Sequence, residues 1–313
     1  MSTLSNGAGG ARAGDNIGRG VALTVLAVLV FGVQDAVAKI LVQDYSPFQI
    51  VMMRYWAFAA FSLVLVARQG PLRAALKSRA PLWQVLRGLL LVGDIWLFAL
   101  AIRTVPLAEL QAISMVYPLL VTLFAIPLLG EKVGIFRFGA VIVGFFGALI
   151  IVRPGGLPFD WGVGFAVLSS VAYAVYIVIT RRVAQHDSTA TNMVYAGLIG
   201  LVLTTAVGLF FWQPMDLRAV LLTGVVMLTT CIGHGSMVLA MSFAPASVVQ
   251  PFNYFALPWA ITLSFIVFQH LIDPVSLIGA AIIVGAGLVV MARERIRNSA
   301  RASAADTTLP GKE

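Results

Sequence analysis

Apolar runs of about 20 residues recur along most of this sequence, and a helix of that length crosses the hydrocarbon core of a bilayer. Only 11% of the residues are charged, against about 25% in a soluble domain, so the chain has too little charge to cover a water-facing surface. The sequence therefore predicts an all-α polytopic membrane protein with ten transmembrane helices. The predicted spans are residues 20–41, 47–67, 82–102, 107–129, 133–152, 161–180, 191–212, 218–242, 246–268 and 274–292.

The Lys and Arg side chains divide unevenly between alternate loops. If the N-terminus is cytoplasmic, the inner segments hold 15 of them and the outer loops hold 3. Cytoplasmic loops carry an excess of Lys and Arg, so we predict that both termini are cytoplasmic. Residues 1–19 are predicted to be a disordered tail and residues 294–313 a basic tail. This distribution accounts for the net charge of +8, and no nucleic-acid partner is predicted.

Part of the sequence recurs after about 140 residues, and an internal repeat indicates the architecture of the whole chain. Residues 106–118 read PLAELQAISMVYP and residues 245–258 read PASVVQPFNYFALP, each with a proline at both ends. Glycines recur at the same distance: Gly139 and Gly147, then Gly279 and Gly287. Five spans is an odd number, so the second copy enters the membrane from the opposite side. We predict two inverted five-helix repeats, 20–153 and 154–293.

These features resemble a known family. Residues 99–155, with the Gly130-Glu131 turn and a glycine-rich fifth span, resemble the first repeat of the drug/metabolite transporter superfamily in its ten-helix EamA branch. Residues 239–290 resemble the second repeat, except that His270 stands where the family often has Glu. Arg54 matches a basic residue common in the second span of the family.

The resemblance covers roughly residues 20–293 and implies a secondary transporter that moves a small organic metabolite across the bacterial inner membrane by alternating access. Within the branch the sequence looks like the bacterial riboflavin importers, so riboflavin uptake is the specific prediction. Export of amino acids or drug-like metabolites is the alternative, and an enzymatic or structural membrane subunit is the alternative from another class. No phosphate-binding loop, HExxH or GxSxG motif is present, and we predict no cofactor, metal site or catalytic residue.

Ionisable side chains inside spans are candidates for a substrate site, because a charge at the bilayer centre costs about 2.5–3.5 kcal/mol on insertion scales. Asp94 lies near the middle of the third span, and His234 occupies the equivalent repeat position in the eighth. We predict that both line a cavity and contact the substrate or carry a proton. The alternative is that each is a buried polar group bonded to a neighbouring helix.

The fourth and ninth spans carry polar side chains just before their internal prolines. The candidate substrate-binding residues there are Gln111, Ser114, Tyr117, Asn253 and Tyr254. Spacings of three and four place such residues near one helix face, where amide and phenol groups suit a flat polar solute. Trp96 is a candidate for stacking on a ring, with packing as the alternative. Pro118 and Pro258 each remove a helix hydrogen bond and are predicted hinges, with a packing role as the alternative.

A second polar group is predicted nearer the outer surface, from Gln34, Asp35, Lys39 and Arg54. If these side chains all face inward, they form a polar mouth on the periplasmic side. Asp35 and Lys39 are four residues apart, so they can also pair with each other on one helix face. The remaining partner predictions are the lipid bilayer and a possible homodimer, because the glycines permit close helix contact within or between chains.

Overall fold

The computed structural model describes residues 13–131, 134–152 and 161–307, and every regular element within these ranges is helical. In this part of the chain ten helices are long and apolar enough to cross a membrane, which confirms the predicted fold class. They are α1 (Ala13–Asp44), α2 (Pro47–Ala67), α3 (Pro81–Thr104), α4 (Leu107–Ser114 and Tyr117–Leu129), α5 (Ile135–Val152), α6 (Trp161–Val183), α7 (Thr189–Gly208, continued by the 3-10 turn Leu209–Phe211), α8 (Leu217–Phe243), α9 (Ala246–Val249, the 3-10 segment Gln250–Phe255 and Ala256–Phe268) and α10 (Pro274–Thr307). A short helix, Leu72–Ala75, lies in the α2–α3 loop.

The helix ends differ from the predicted ones at the termini. The first helix begins at Ala13, so it includes residues 13–19 of the segment predicted as a tail, and residues 1–12 lie outside the described part. Once a helix has formed, each further residue adds a hydrogen bond at little cost, which is how a span can extend into its polar flank. The last helix likewise continues to Thr307. The predicted boundary between the repeats, at 153–154, falls outside the described residues.

The most extensive helix contacts run between the two halves of the chain. Helix α1 packs on α8 and α3 packs on α6, while α2, α4 and α5 pack on α7, α9 and α10, respectively. In two five-helix repeats the counterpart of each helix is the one five places later, so α1 corresponds to α6 and α3 to α8. Exchanging counterparts turns the α1–α8 contact into the α6–α3 contact and leaves the other three pairs unchanged. A pseudo-two-fold axis requires this pattern, so the prediction of two inverted five-helix repeats is confirmed.

Helices α5 and α10 approach most closely at two glycines. A Cβ on Gly147 would lie 2.7 Å from the Gly279 carbonyl oxygen, and a Cβ on Gly279 would lie 2.6 Å from the Gly147 carbonyl oxygen. Only glycine fits at such a separation. The repeat spacing matches Gly139 with Gly279 and Gly147 with Gly287, whereas the two glycines in contact are Gly147 and Gly279. A Cβ added to Gly139 would have no atom within 4 Å.

Helices α4 and α9 are both interrupted just before their internal prolines. Helix α4 breaks between Ser114 and Tyr117, and α9 is wound as a 3-10 segment over Gln250–Phe255. Pro118 and Pro258 lack the N–H that would bond to the carbonyl four residues earlier, which removes regularity from the preceding turn. Interrupted spans at matching positions in two halves are a pointer to a transport site. The hinge role of these prolines stays a prediction.

One end of the helix bundle is closed by buried polar side chains at the start of α3. The Gln84 amide donates to Asp187 Oδ2 at 2.8 Å and to Asn192 Oδ1 at 2.7 Å. Arg87 Nε donates to Gln84 Oε1 at 3.1 Å, and its guanidinium reaches the Tyr176 hydroxyl at 3.4 Å. Gln84 and Arg87 are almost fully buried. This network ties α3 to α6 and α7.

The opposite end is closed by a second polar cluster, where α1, α3, α4 and α9 meet. His270 Nε2 lies 2.9 Å from Glu109 Oε1, and the Glu109 side chain is 3% exposed. The Lys39 ammonium donates to the carbonyls of Ile102 and Val105 at 2.7 and 2.8 Å. These contacts fasten the end of α1 to the α3–α4 junction, and they fasten α4 to α9.

The glycine contact between α5 and α10 gives a first prediction. The substitution Gly147→Leu places a side chain where backbone atoms of α10 lie, and overpacking of this kind costs about 1–3 kcal/mol. We expect the melting temperature of the detergent-solubilised protein to fall by several degrees. Gly139→Leu, on the same helix but facing open space, serves as the control. Equal losses in the two variants would contradict the glycine contact.

The second polar cluster gives another prediction. His270→Glu places a carboxylate against the buried Glu109, and losing a hydrogen bond to a charged group costs about 1.5–3 kcal/mol. We expect a lower melting temperature, largely restored by adding Glu109→Gln. The control is Gln269→Glu, which introduces the same charge one residue away on an exposed side chain. A melting temperature unchanged by His270→Glu would show that this contact does not hold the helices together.

Candidate functional site

A cavity of about 240 Å³ lies between the two halves of the protein. Helices α1, α2 and α3 of the first half and α6 and α8 of the second half enclose it. Its lining residues are Phe31, Gln34, Asp35, Arg54, Tyr55, Phe58, Leu91, Asp94, Ile95, Phe98, Tyr173, Thr230 and His234. Polar groups from both repeats thus converge on one cavity.

Four ionisable side chains from four different helices meet in this cavity. They are Asp35, Arg54, Asp94 and His234. The sequence predicted two separate groups, an outer mouth and a midplane site, but the structure places members of both around the same space. Depth counted along each helix ignores helix tilt, which averages about 20° in membranes. Residues assigned to different depths can therefore face one cavity.

Hydroxyl groups of the second half donate to polar side chains of the first half at the cavity wall. The Ser169 hydroxyl on α6 donates to Asp94 Oδ1 at 2.6 Å. The Thr230 hydroxyl on α8 donates to Gln34 Oε1 at 2.7 Å. These bonds satisfy the Gln34 carbonyl and one oxygen of Asp94. They also join α3 to α6 and α1 to α8, the two helix pairs that the pseudo-two-fold exchanges.

The other charged groups of the cavity lack such partners. In the part of the chain that the structure describes, no hydrogen bond or ion pair within 4 Å joins Arg54 or Asp35 to another residue, although Arg54 acts electrostatically on Asp35 and Asp94. No group of three His, Cys, Asp or Glu among the described residues is placed to hold a metal ion. Unpaired charged groups within a membrane span are costly. The guanidinium donors and carboxylate acceptors are therefore available to a solute.

Aromatic rings form much of the cavity wall. The His234 ring lies 5.1 Å from the Phe31 ring and 4.7 Å from the Phe58 ring, centroid to centroid. On another side Tyr173 contacts Tyr117 edge to face at 4.9 Å. Aromatic walls with a few polar groups suit a ligand that carries a flat ring.

Two of the predicted residues lie elsewhere. Trp96 is two positions from Asp94, which puts it on the other side of α3, and its ring packs on Phe48 at 5.7 Å. Lys39 bonds to backbone carbonyls at the end of α3. The predicted pairing of Asp35 with Lys39 is therefore not formed, because these carbonyls provide Lys39 with closer partners.

The candidates on α4 and α9 also lie outside the cavity lining. The Ser114 hydroxyl donates to the Leu110 carbonyl at 2.9 Å, and the Asn253 amide donates to Gln250 Oε1 at 2.9 Å. Tyr117 contacts Tyr173 but does not itself line the cavity. The hydroxyl of Tyr254 is turned toward α10 and has no hydrogen-bond partner among the described residues. Gln111, Pro118 and Pro258 are likewise absent from the wall. The breaks in α4 and α9 change which way their polar faces point, which helical spacing alone does not reveal.

Several residues that line the cavity were not predicted from the sequence. Leu91 and Phe98 lie three and four residues from Asp94, on the same face of α3. Thr230 precedes His234 by one helical turn, and the same spacing separates Arg54 from Phe58. Steps of three and four residues from each buried charge would have found these positions, because such neighbours lie on one helix face.

Comparisons with known proteins agree with this architecture. The EamA-like transporter family matches residues 18–153 and 160–292, once in each half. A riboflavin transporter of Vibrio cholerae serotype O1 is 30% identical over 271 residues, covering 85% of this chain and 90% of the relative. A riboflavin transporter of Rhizobium johnstonii is 29% identical over 285 residues, covering 87% and 91%.

Other relatives carry a different name. An S-adenosylmethionine uptake transporter of Rickettsia prowazekii is 22% identical over 284 residues, covering 88% of this chain and 93% of the relative. One solved crystal structure superposes with a TM-score of 0.61 at 21% identity, covering 88% of this chain and 97% of that one, which shows the shared fold. With the family matching both five-helix halves, the chain belongs to the EamA-like transporter family.

Proposed function

We propose that this protein takes up riboflavin across the bacterial inner membrane by alternating access, with both termini in the cytoplasm. The observation that carries the proposal is the cavity between the inverted halves, where Arg54 and Asp35 have no hydrogen-bond or ion-pair partner among the described residues and aromatic rings form much of the wall. The two relatives named riboflavin transporters, at 30% and 29% identity, support this substrate. The excess of basic residues in alternate loops supports the orientation.

The cavity offers riboflavin two kinds of contact. The flat isoalloxazine ring packs against Phe31, Phe58 and the other rings of the wall. Its carbonyl groups accept from the Arg54 guanidinium, and the hydroxyls of its ribityl chain donate to Asp35 and Asp94. A few polar contacts of this kind fix the orientation of a ligand in a largely apolar pocket.

Transport requires this cavity to change size and access. At about 240 Å³ it is smaller than the roughly 300–1,000 Å³ of pockets that hold drug-sized ligands. The halves must therefore separate to admit riboflavin. Alternating access supplies that separation, since one bundle moves against the other around a site near the midplane.

A second candidate substrate is an organic cation of the S-adenosylmethionine type. The specific observation in its favour is that two carboxyl groups, Asp35 and Asp94, share the cavity with a single guanidinium. A sulfonium cation would be attracted to the carboxylates, while its adenine ring would occupy the aromatic wall. The relative named an S-adenosylmethionine uptake transporter supports this alternative.

Uptake assays distinguish the candidates. The purified protein is reconstituted into proteoliposomes, and the entry of labelled riboflavin and of labelled S-adenosylmethionine is measured in parallel with protein-free vesicles. Expression in a bacterium unable to make riboflavin gives an independent growth assay. Riboflavin entry together with growth rescue supports the proposal. Entry of S-adenosylmethionine without riboflavin would contradict the proposal and support the second candidate. Entry of neither compound would contradict both candidates, and export of amino acids or drug-like compounds would be assayed next.

The unpaired guanidinium gives a prediction for substrate affinity. A hydrogen bond from a charged donor contributes about 1.5–3 kcal/mol, so Arg54→Gln should raise the riboflavin concentration for half-maximal uptake by about 10–100-fold. Arg68→Gln, at the exposed end of the same helix, should leave uptake unchanged. Wild-type uptake by the Arg54 variant would remove this residue from the substrate site.

Asp94 distinguishes a neutral substrate from a cationic one. Asp94→Asn keeps a carbonyl oxygen to accept from Ser169 but removes the negative charge. We expect uptake of neutral riboflavin to fall by a few-fold only, whereas uptake of a cation should fall by about 10–100-fold. Asp44→Asn, an exposed acid at the end of α1, is the control. A large loss of riboflavin uptake in Asp94→Asn would point to a role for the charge itself.

A further inference from the structure

A second cavity lies at the membrane surface, away from the transport cavity. It has a volume of about 390 Å³ and is formed by the start of α3 and by the end of α6 with the residues that follow it. None of its lining residues lines the transport cavity. The proposed orientation places it at the cytoplasmic face, where the α2–α3 and α6–α7 loops lie.

Three of the eight residues that line this surface cavity carry basic side chains. Arg79, Arg182 and His186 line it, and no acidic side chain does. The Arg182 guanidinium lies 4.6 Å over the Trp83 ring and donates to the Leu128 carbonyl at 3.0 Å. These two contacts hold Arg182 in place at the cavity. Three basic side chains around one concave site form a favourable environment for an anion.

The nearest carboxylate, Asp187, is already bonded within the protein. It accepts from the Ser78 hydroxyl, from the Gln84 amide at 2.8 Å and from the Arg79 backbone N–H at 2.8 Å. Burial raises the pKa of Asp187, but these hydrogen bonds and the neighbouring His186 outweigh that effect and hold the pKa below its ordinary value. The hydrogen bonds direct the Asp187 oxygens to the α2–α3 loop and to α3, and Asp187 does not line the cavity, where Arg79 and Arg182 do.

An apolar stripe leads from this cavity toward the membrane interior. Leu82, Val85, Leu86 and Leu89 are 83%, 43%, 41% and 46% exposed, and their spacing of three and four residues puts them on one face of α3. A small soluble anion has no apolar part that could contact such a stripe. A ligand with an anionic head and apolar chains matches both the basic cavity and the stripe.

We propose that this surface cavity binds the headgroup phosphate of an anionic phospholipid, with an acyl chain along the exposed face of α3. Arg79 and Arg182 contact the phosphate oxygens, and Trp83 stands at the boundary between the headgroup and the chains. Basic pockets on the cytoplasmic side of membrane helices bind anionic headgroups in this way.

Native mass spectrometry of the full chain in detergent tests the proposal. Dioleoylphosphatidylglycerol is titrated against dioleoylphosphatidylcholine, which has the same acyl chains without the net charge. We expect the anionic lipid to bind more tightly. Each basic side chain near the surface contributes about 1 kcal/mol, so Arg79→Ala should weaken phosphatidylglycerol binding about fivefold and Arg79→Ala with Arg182→Ala on the order of tenfold or more.

A matched control separates this site from diffuse surface charge. Arg68→Ala with Arg73→Ala removes the same charge from the same loop region, but outside the cavity, and should leave lipid binding unchanged. Because Arg182 also bonds to Leu128, the single Arg79→Ala variant decides the question if the double variant does not fold. Equal binding of the two lipids, wild-type binding by Arg79→Ala or an equal loss in the control would overturn the proposal. Displacement of the lipid by millimolar inorganic phosphate would identify a soluble anion as the ligand instead.

Discussion

Hydrocarbon offers no hydrogen-bond partner, so every polar group inside a span must be satisfied by the protein or by what the protein carries. In this chain the two halves provide some of those partners for each other at the cavity. Ser169 and Thr230 of the second half donate to Asp94 and Gln34 of the first. Arg54 lines the same cavity but has no hydrogen-bond or ion-pair partner among the described residues. The cavity is therefore the place where the fold leaves polar capacity for a solute.

The contacts that close the bundle differ in kind between its centre and its ends. At α5 and α10 the two backbones meet at Gly147 and Gly279, a contact that water cannot replace. At the two ends of α3 the contacts are polar, through Gln84 on one side and through the Lys39 and Glu109 cluster on the other. Water substitutes for polar contacts at much lower cost than for apolar ones. The ends are therefore suited to open in turn while the α5 and α10 contact persists.

Length and spacing were enough to predict the ten spans and their repeat, because the bilayer fixes helix length and a five-span copy must invert. The rule that charges within spans are functional also selected Asp35, Arg54, Asp94 and His234, which share one cavity. Helix rotation and tilt were not predictable, since they depend on how ten helices pack together. Trp96 was misplaced for that reason: it is close to Asp94 in sequence but lies on the opposite side of α3.

The repeat is symmetric in fold but not in the chemistry of its cavity. The two carboxyl groups and the guanidinium all come from α1, α2 and α3, whereas the second half provides Tyr173, Thr230 and His234. Separating the halves would therefore break the hydrogen bonds that Ser169 and Thr230 donate to the first half. Arg54 and the two carboxyl groups would stay together, because all three belong to the first half. Arg54 acts electrostatically on both carboxyl groups, and these interactions lie within the first half. In the proposed alternating-access motion, the charged groups of the cavity therefore move together with α1, α2 and α3.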